Sequence, residues 1–378
     1  MTRKRWVWVT LLLVCIPGWF VYRAAHRSTL NHELILAAAG DDPWTVQTLL
    51  NQGADPNTIE DGIQSVGWQR FLDLLLHHSP EGPPVCALSQ AIASDHPDAN
   101  HLEVVRLLLE HHANPNIKLP GSTALPIRAV TTIENDKLLA LFLEHGVDPN
   151  MVDRTGGFNT PLLMYAVKED HLSLVKVLLD HGADPSLANA NGDSALMWAA
   201  AEVNTEMAQL LVTRHADVNH QNSQGQCALT YVFFIRANEQ RDIVRPMLAA
   251  GADVNALDHQ GCTPFLLGLI NYGSCLGMML EHGGDVHKAV PASAPTQTLM
   301  VNMRTADSDR MQTRTSVATP GTTPLMLAAY LHDADLVRGM LAKGADANAR
   351  NAQGKTALDF GGDIPAIRAL LHRAGAHR

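Results

Sequence analysis

One nine-residue phrase recurs along the chain, clearest as Leu178-Leu179-Asp180-His181-Gly182-Ala183-Asp184-Pro185-Ser186. It returns at Leu49–Asn57, Leu108–Asn116, Phe142–Asn150, Leu211–Asn219, Met247–Asn255, Met279–His287 and Met340–Asn348. Its glycine slot falls at 53, 112, 146, 182, 215, 251, 283 and 344, and His112 and His215 take the glycine's place at two of these. The middle spacings are 34, 36, 33, 36 and 32 residues. A fixed period near this length means a stacked array of small units rather than separate globular domains. It overrides the expectation of two or three domains that 378 residues would otherwise carry.

A second phrase follows each glycine slot by about eleven residues. It reads Thr160-Pro161-Leu162, Ser194-Ala195-Leu196, Thr263-Pro264-Phe265, Thr323-Pro324-Leu325 and Thr356-Ala357-Leu358, with weaker copies at Thr123 and Cys227. Together the two phrases resemble the ankyrin repeat family, over nearly all of residues 30–378 and in about nine copies. One departure is consistent. The histidine of the family's T-P-L-H box is replaced by Leu163, Met197, Leu266 and Met326, which implies looser or more apolar turns between repeats.

The local chemistry agrees. Thr160 can cap a helix start, and Pro161 suits the first helical turn. Leu172, Val175, Leu178 and Leu179 then place an apolar stripe on a second helix, which Gly182 ends in the left-handed conformation. Asp184-Pro185 turns the chain. A single helix pair cannot bury its stripe, so neighbours must cover it. The expected fold is all-α: a solenoid of ankyrin-type helix pairs with short inter-repeat hairpins, preceded by one hydrophobic helix.

That leading segment is residues 1–27. Arg3, Lys4 and Arg5 precede an uncharged run from Trp6 to Tyr22, near the shortest length that spans a bilayer. Trp6, Trp8, Trp19 and Tyr22 flank it at headgroup depth. Tyr22 and Arg23 spoil the small-x-small pattern a cleavage site needs, so a retained signal anchor is expected over a cleaved signal peptide. The basic excess before the run places the repeats on the extracytoplasmic, periplasmic side. The alternative is a secreted or periplasmic chain after cleavage.

The solenoid is expected at 30–378, its first helix at Asn31–Ala39, with insertions at about 58–84 and 288–320. The first insertion holds a Leu-rich helix near Gly67–Leu76, and the second reads as a long β-hairpin with a disordered loop as the competing reading. Net charge is −10, from 28 basic and 38 acidic residues. Five of the basic residues precede the first repeat and no acidic residue does, so the repeats themselves are strongly acidic. That argues against nucleic acid as a partner. The five cysteines show no ligand spacing, and Cys227 and Cys262 read as buried thiols ahead of a bridge. His111, His145, His181 and His282 share a slot at helix C-termini, where a donor satisfies the last carbonyls; capping explains them better than metal binding. With no HExxH, GxSxG, phosphate-binding glycine loop or EF-hand, neither enzyme activity, a cofactor nor a metal is expected.

What varies from copy to copy is the surface. The hairpin slots hold Asn191, Asp193, Ser223, Gln224, Gln226, His259, Gln260, Ala352, Gln353 and Lys355. Further along the first helices lie Ala201, Glu202, Phe234, Ile235, Ile270, Asn271, Tyr330 and Leu331. The resemblance implies that another protein docks here. Asn191, Asp193, Glu202, Gln224, Gln226, Phe234, His259, Gln260, Ile270 and Tyr330 are the expected contacts, with Phe234, Ile270 and Tyr330 forming an apolar stripe. A membrane-anchored interaction protein is therefore expected. The alternative is a structural or assembly protein of the cell envelope with no discrete partner.

Overall fold

The computed structural model describes residues 22–61, 84–92, 99–117, 135–153, 157–202, 204–233, 240–271, 273–292 and 319–377. The expected anchor run up to residue 21, the helix at 67–76, the body of the second insertion, Phe234 and Ile235 lie outside them. Among the described residues no helix is long and apolar enough to cross a membrane.

The structure is mostly helical, with little strand. Two compact units divide the chain, one made of 1–157 and 173–182, the other of 158–172 and 183–378. In the first unit α1 covers 22–39 and α2 is Pro43–Asn51. They are followed by α3 (Ala87–Ile92), α4 (Ala99–Glu110) and α5 (Asp136–Glu144). Helix α1 is already helical at 22, the first described residue and nine ahead of the expected Asn31, and 22–30 contain neither Gly nor Pro to interrupt it. Asp42 caps α2, its carboxylate accepting from the Thr45 hydroxyl and N–H, which together hold it below the usual carboxylate range. Strands β1 (Glu60–Asp61) and β2 (Pro84–Val85) pair antiparallel, Glu60 opposite Val85, and form the base from which the first insertion leaves.

The second unit contains α6 (Leu162–Lys168), and α7 (Leu172–Asp180) starts at its boundary. Then come α8 (Ala195–Ala201), α9 (Thr205–Thr213), α10 (Ala228–Val232), α11 (Gln240–Ala249), α12 (Pro264–Ile270) and α13 (Leu276–Glu281). The last are α14 (Pro324–Tyr330), α15 (Ala334–Ala342), α16 (Ala357–Gly361) and α17 (Pro365–Arg373). First helices pack in one layer, α6–α8–α10–α12–α14–α16, and second helices α9–α11 and α13–α15–α17 in another. The core between the layers is made of Leu and Ala with Met197, Met207, Met247 and Met279, all fully buried.

The loop after each second helix is built the same way. In Gly251 and Ala252 the N–H groups return to Leu248 and Met247, ending α11 with a left-handed glycine at φ 87°. The following Asp accepts from the N–H two residues on, as Asp217 does from Asn219 and Asp253 from Asn255, both within 2.9 Å. The Asn then bridges to the next repeat. Asn219 donates to Gly251 O (3.1 Å) and accepts from Asp253 N (2.7 Å), and Asn255 does the same with Gly283 and Asp285. His145, His181 and His282 donate from Nδ1 to the carbonyl four residues back, at 2.8–2.9 Å, which is the expected cap. His111 differs: its Nε2 meets Gln47 Nε2 at 3.3 Å. Cys86, Cys227, Cys262 and Cys275 are buried free thiols, and burial pushes Cys262 and Cys275 up to about 12.

One expectation about the helix starts needs correcting. Thr160 makes no capping bond; Thr160–Pro161 is extended and α6 starts at Leu162 with Pro161, which has no side-chain acceptor, as its cap. Where the family's histidine is missing, two of the turns carry a methionine that still closes a hydrogen bond. Met197 and Met326 accept the Ser194 and Thr323 N–H groups on sulfur at 3.5 and 3.4 Å, while the Ser and Thr hydroxyls accept the methionine N–H in return. Thr230 and Asp359 close the same ring with oxygen. A thioether is a weak acceptor, but it satisfies a buried donor and fills apolar space.

Candidate interaction face

The site is built on the hairpins that precede α8, α10, α12 and α16 in the second unit. Each is folded around one Asn or Asp. Asn222 Oδ1 accepts from the N–H groups of Gln224 and Gln226, and Asn189, Asp258 and Asn351 do the same in their own hairpins. A backbone bond then links each tip to the next: Ala190 N to Phe158 O, Ser223 N to Asn191 O, His259 N to Gln224 O and Ala352 N to Pro320 O, all 2.7–3.0 Å. The second insertion leaves from the corresponding position before α14, held at its base by Val290 N on Thr322 O and Gly321 N on Val290 O. The tips are thus fixed main chain from which some side chains reach solvent.

Asn191, Gln224 and His259 are exposed at the tips, and Glu202 is exposed beyond α8. Asp193, Gln226 and Gln260 are half-buried beside them. Ile270 does not face solvent: only 8% of it is accessible, like the rest of α12. On the same helix and just after it the backbone approaches the preceding repeat closely: a Cβ on Gly268 or Gly273 would lie 3.1 or 2.9 Å from the Phe233 ring. Tyr330 is half-buried and packs edge-on to Phe360, at 6.4 Å and 86°. With Phe234 outside the described residues, the expected three-residue stripe is not assembled among them.

Two residues the sequence reading passed over stand at the centre of this face. Trp198 and Tyr231, each four residues past its cap residue, are half-buried on α8 and α10. Side chains of a helix lean toward its N-terminus. Tyr231 accordingly reaches back to the preceding hairpin and donates its hydroxyl to Asp193 Oδ1 at 3.0 Å. Asn222 Nδ2 reaches the same oxygen at 2.9 Å and Tyr231 Oη at 3.0 Å. Burial, then the Asp193 charge, push the Tyr231 phenol well above its ordinary range. The signal was available in the sequence as an aromatic in the slot where three other repeats carry Met164, Leu267 and Leu327, all buried.

Among the described residues no His, Cys, Asp and Glu grouping could hold a metal ion. Family profiles described as ankyrin repeat, ankyrin repeats (3 copies) and ankyrin repeats (many copies) match residues 87–118, 127–222 with 163–258, and 314–360. The chain belongs to the ankyrin repeat family. A solved structure similar to it is the ankyrin repeat domain of Bcl-3, a unique member of the IkappaB protein family. It shares 21% identity at a TM-score of 0.48, over 62% of this chain and 92% of that one. Ankyrin repeats bind other proteins and are generally scaffolds rather than enzymes.

Proposed function

We propose that this is a membrane-anchored ankyrin repeat protein that captures one protein partner across the hairpin tips and the exposed face of its first helices. The observation that carries it is the combination at the hairpins of locked main chain and free, dissimilar side chains, Asn191, Gln224 and His259. Pre-ordered backbone lowers the entropic cost of docking, and side-chain identity sets the choice of partner. The reading needs no covalent chemistry.

The anchor is the uncharged run from Trp6 to Tyr22 behind Arg3, Lys4 and Arg5, retained in the mature chain, with the repeats on the extracytoplasmic side. The test has two parts. Carbonate extraction and N-terminal sequencing should find the intact N-terminus in the membrane; a soluble chain beginning near residue 25 removes the anchor. Photo-crosslinkers at Gln224 and His259 in cells should give one discrete adduct; loss of envelope integrity on deletion with no adduct from either position favours an assembly role.

A further inference from the structure

The slot before a cap residue and the slot four residues after it are equivalent from repeat to repeat, and the repeat of α16 brings them together. In the last repeat they hold Lys355 and Phe360, and the Lys355 ammonium lies 5.7 Å from the centre of the Phe360 ring. That is a cation–π contact made within the chain. In the repeat of α8 the same two slots hold Asp193 and Trp198. The ring is kept and the charge is reversed.

Asp193 is a half-buried carboxylate held by neutral donors alone. Tyr231 and Asn222 both donate to Oδ1, and Asn189 Nδ2 approaches Oδ2 at 3.5 Å. Among the described residues no lysine or arginine reaches it. The charge is felt locally, since it helps push up the Tyr231 phenol. A fixed carboxylate with an indole on the helix that follows it and a phenol from the next repeat is an arrangement that suits a cation, because a cation gains from both the charge and the ring faces. Glu202, exposed beyond α8, adds charge of the same sign.

We propose that Asp193, flanked by Trp198 and Tyr231, is the receptor for one arginine or lysine side chain of the partner. This rests on the partner-binding reading above and specifies its chemistry. Asp193 supplies the carboxylate, Trp198 the ring face, and Tyr231 and Asn222 hold the carboxylate in place.

The test uses the full chain in detergent micelles, labelled at its tryptophan indole nitrogens, with the Trp198 signal assigned by Trp198→Phe. N-acetyl-arginine amide and the uncharged N-acetyl-citrulline amide are titrated separately. The arginine probe should shift the Trp198 signal saturably and citrulline should not. Asp193→Asn, which can still accept from Tyr231, should weaken the arginine response about fivefold or more, and Glu206→Gln, an exposed acid on α9, less than about twofold. Trp198→Ala leaves the carboxylate network in place and should lose the cation contribution, read from Tyr231 ring signals, which keeps the test open if Asp193→Asn melts early. Equal responses to the two probes, or equal effects of Asp193→Asn and Glu206→Gln, would overturn the proposal. Such a failure with intact capture at Gln224 sinks this receptor alone, whereas absence of any adduct sinks the partner-binding reading.

Discussion

Each repeat has two turns, and their glycines do different work. In the loop that ends a second helix, a Cβ added at Gly251 would meet nothing within 4 Å. In the hairpin that precedes a first helix, a Cβ at Gly225 would lie 2.9 Å from His259 N and 3.0 Å from Asp258 Cα. Both glycines have positive φ, 87° and 75°. The loop therefore needs glycine only for its backbone angle, whereas the hairpin needs it for the angle and for the approach of the next hairpin. His112 and His215, at φ 66° and 65°, show that the loop tolerates a side chain. The loop glycines face open space and successive loops are joined through asparagine side chains, whereas the hairpins are joined main chain to main chain, and this is why the hairpins can present a defined surface.

The largest effect should come from Gly225→Ala. Left-handed strain plus overlap with neighbouring main chain should cost about 3–4 kcal/mol, against about 1–2 kcal/mol for Gly251→Ala, read from urea melts. Equal costs would break the comparison. Gly354 sharpens it: a Cβ there meets nothing within 4 Å although it sits in a hairpin, and Gly354→Ala should behave like Gly251→Ala.

Next is the pair of organising asparagines. Asn222 is buried and accepts two N–H groups while donating to Asp193 and Tyr231. Asn222→Ala strands buried donors and should cost about 2–3 kcal/mol. Asn219 makes its two bridging bonds on an exposed loop, where water replaces them, and Asn219→Ala should cost about 1 kcal/mol. A reversed order would mean that the loops, and not the hairpins, hold the array in register.

The smallest effect should be a gain. His215→Gly relieves a left-handed non-glycine residue and should add about 0.5–1 kcal/mol net of the extra chain entropy of glycine. A loss in thermal melts would show that His215 makes a contribution beyond its place in the turn.

Much of this was legible because it is local. The glycine slots, the Asp turns and the caps from His145, His181 and His282 each involve residues within four positions, so spacing alone exposes them. What was not legible depends on two repeats at once. Asn222 reads as one more polar loop residue until Asp193 and Tyr231, 29 and 9 positions away, are seen on it. Ile270 reads as exposed from its slot number, yet it is buried with all of α12, whose Gly268 lies close to Phe233 of the previous repeat. Met197 and Met326 read as apolar fillers because sulfur acceptance depends on direction, which sequence does not carry. The insertions announce themselves by length, and their bases at Glu60/Val85 and Val290/Thr322 follow from the hairpins they interrupt.

The division between silent loops and recognising hairpins is tested most directly by matched crosslinking in cells. One photoreactive residue is placed at Gln224, on a hairpin tip, and in a separate strain at Asp217, on a loop of the same repeat period. Both positions are exposed, so access does not favour either. A discrete, stoichiometric adduct from Gln224 and none from Asp217 is the predicted result. An adduct from Asp217 alone, or equal yields from both, would contradict the assignment of binding to the hairpin face.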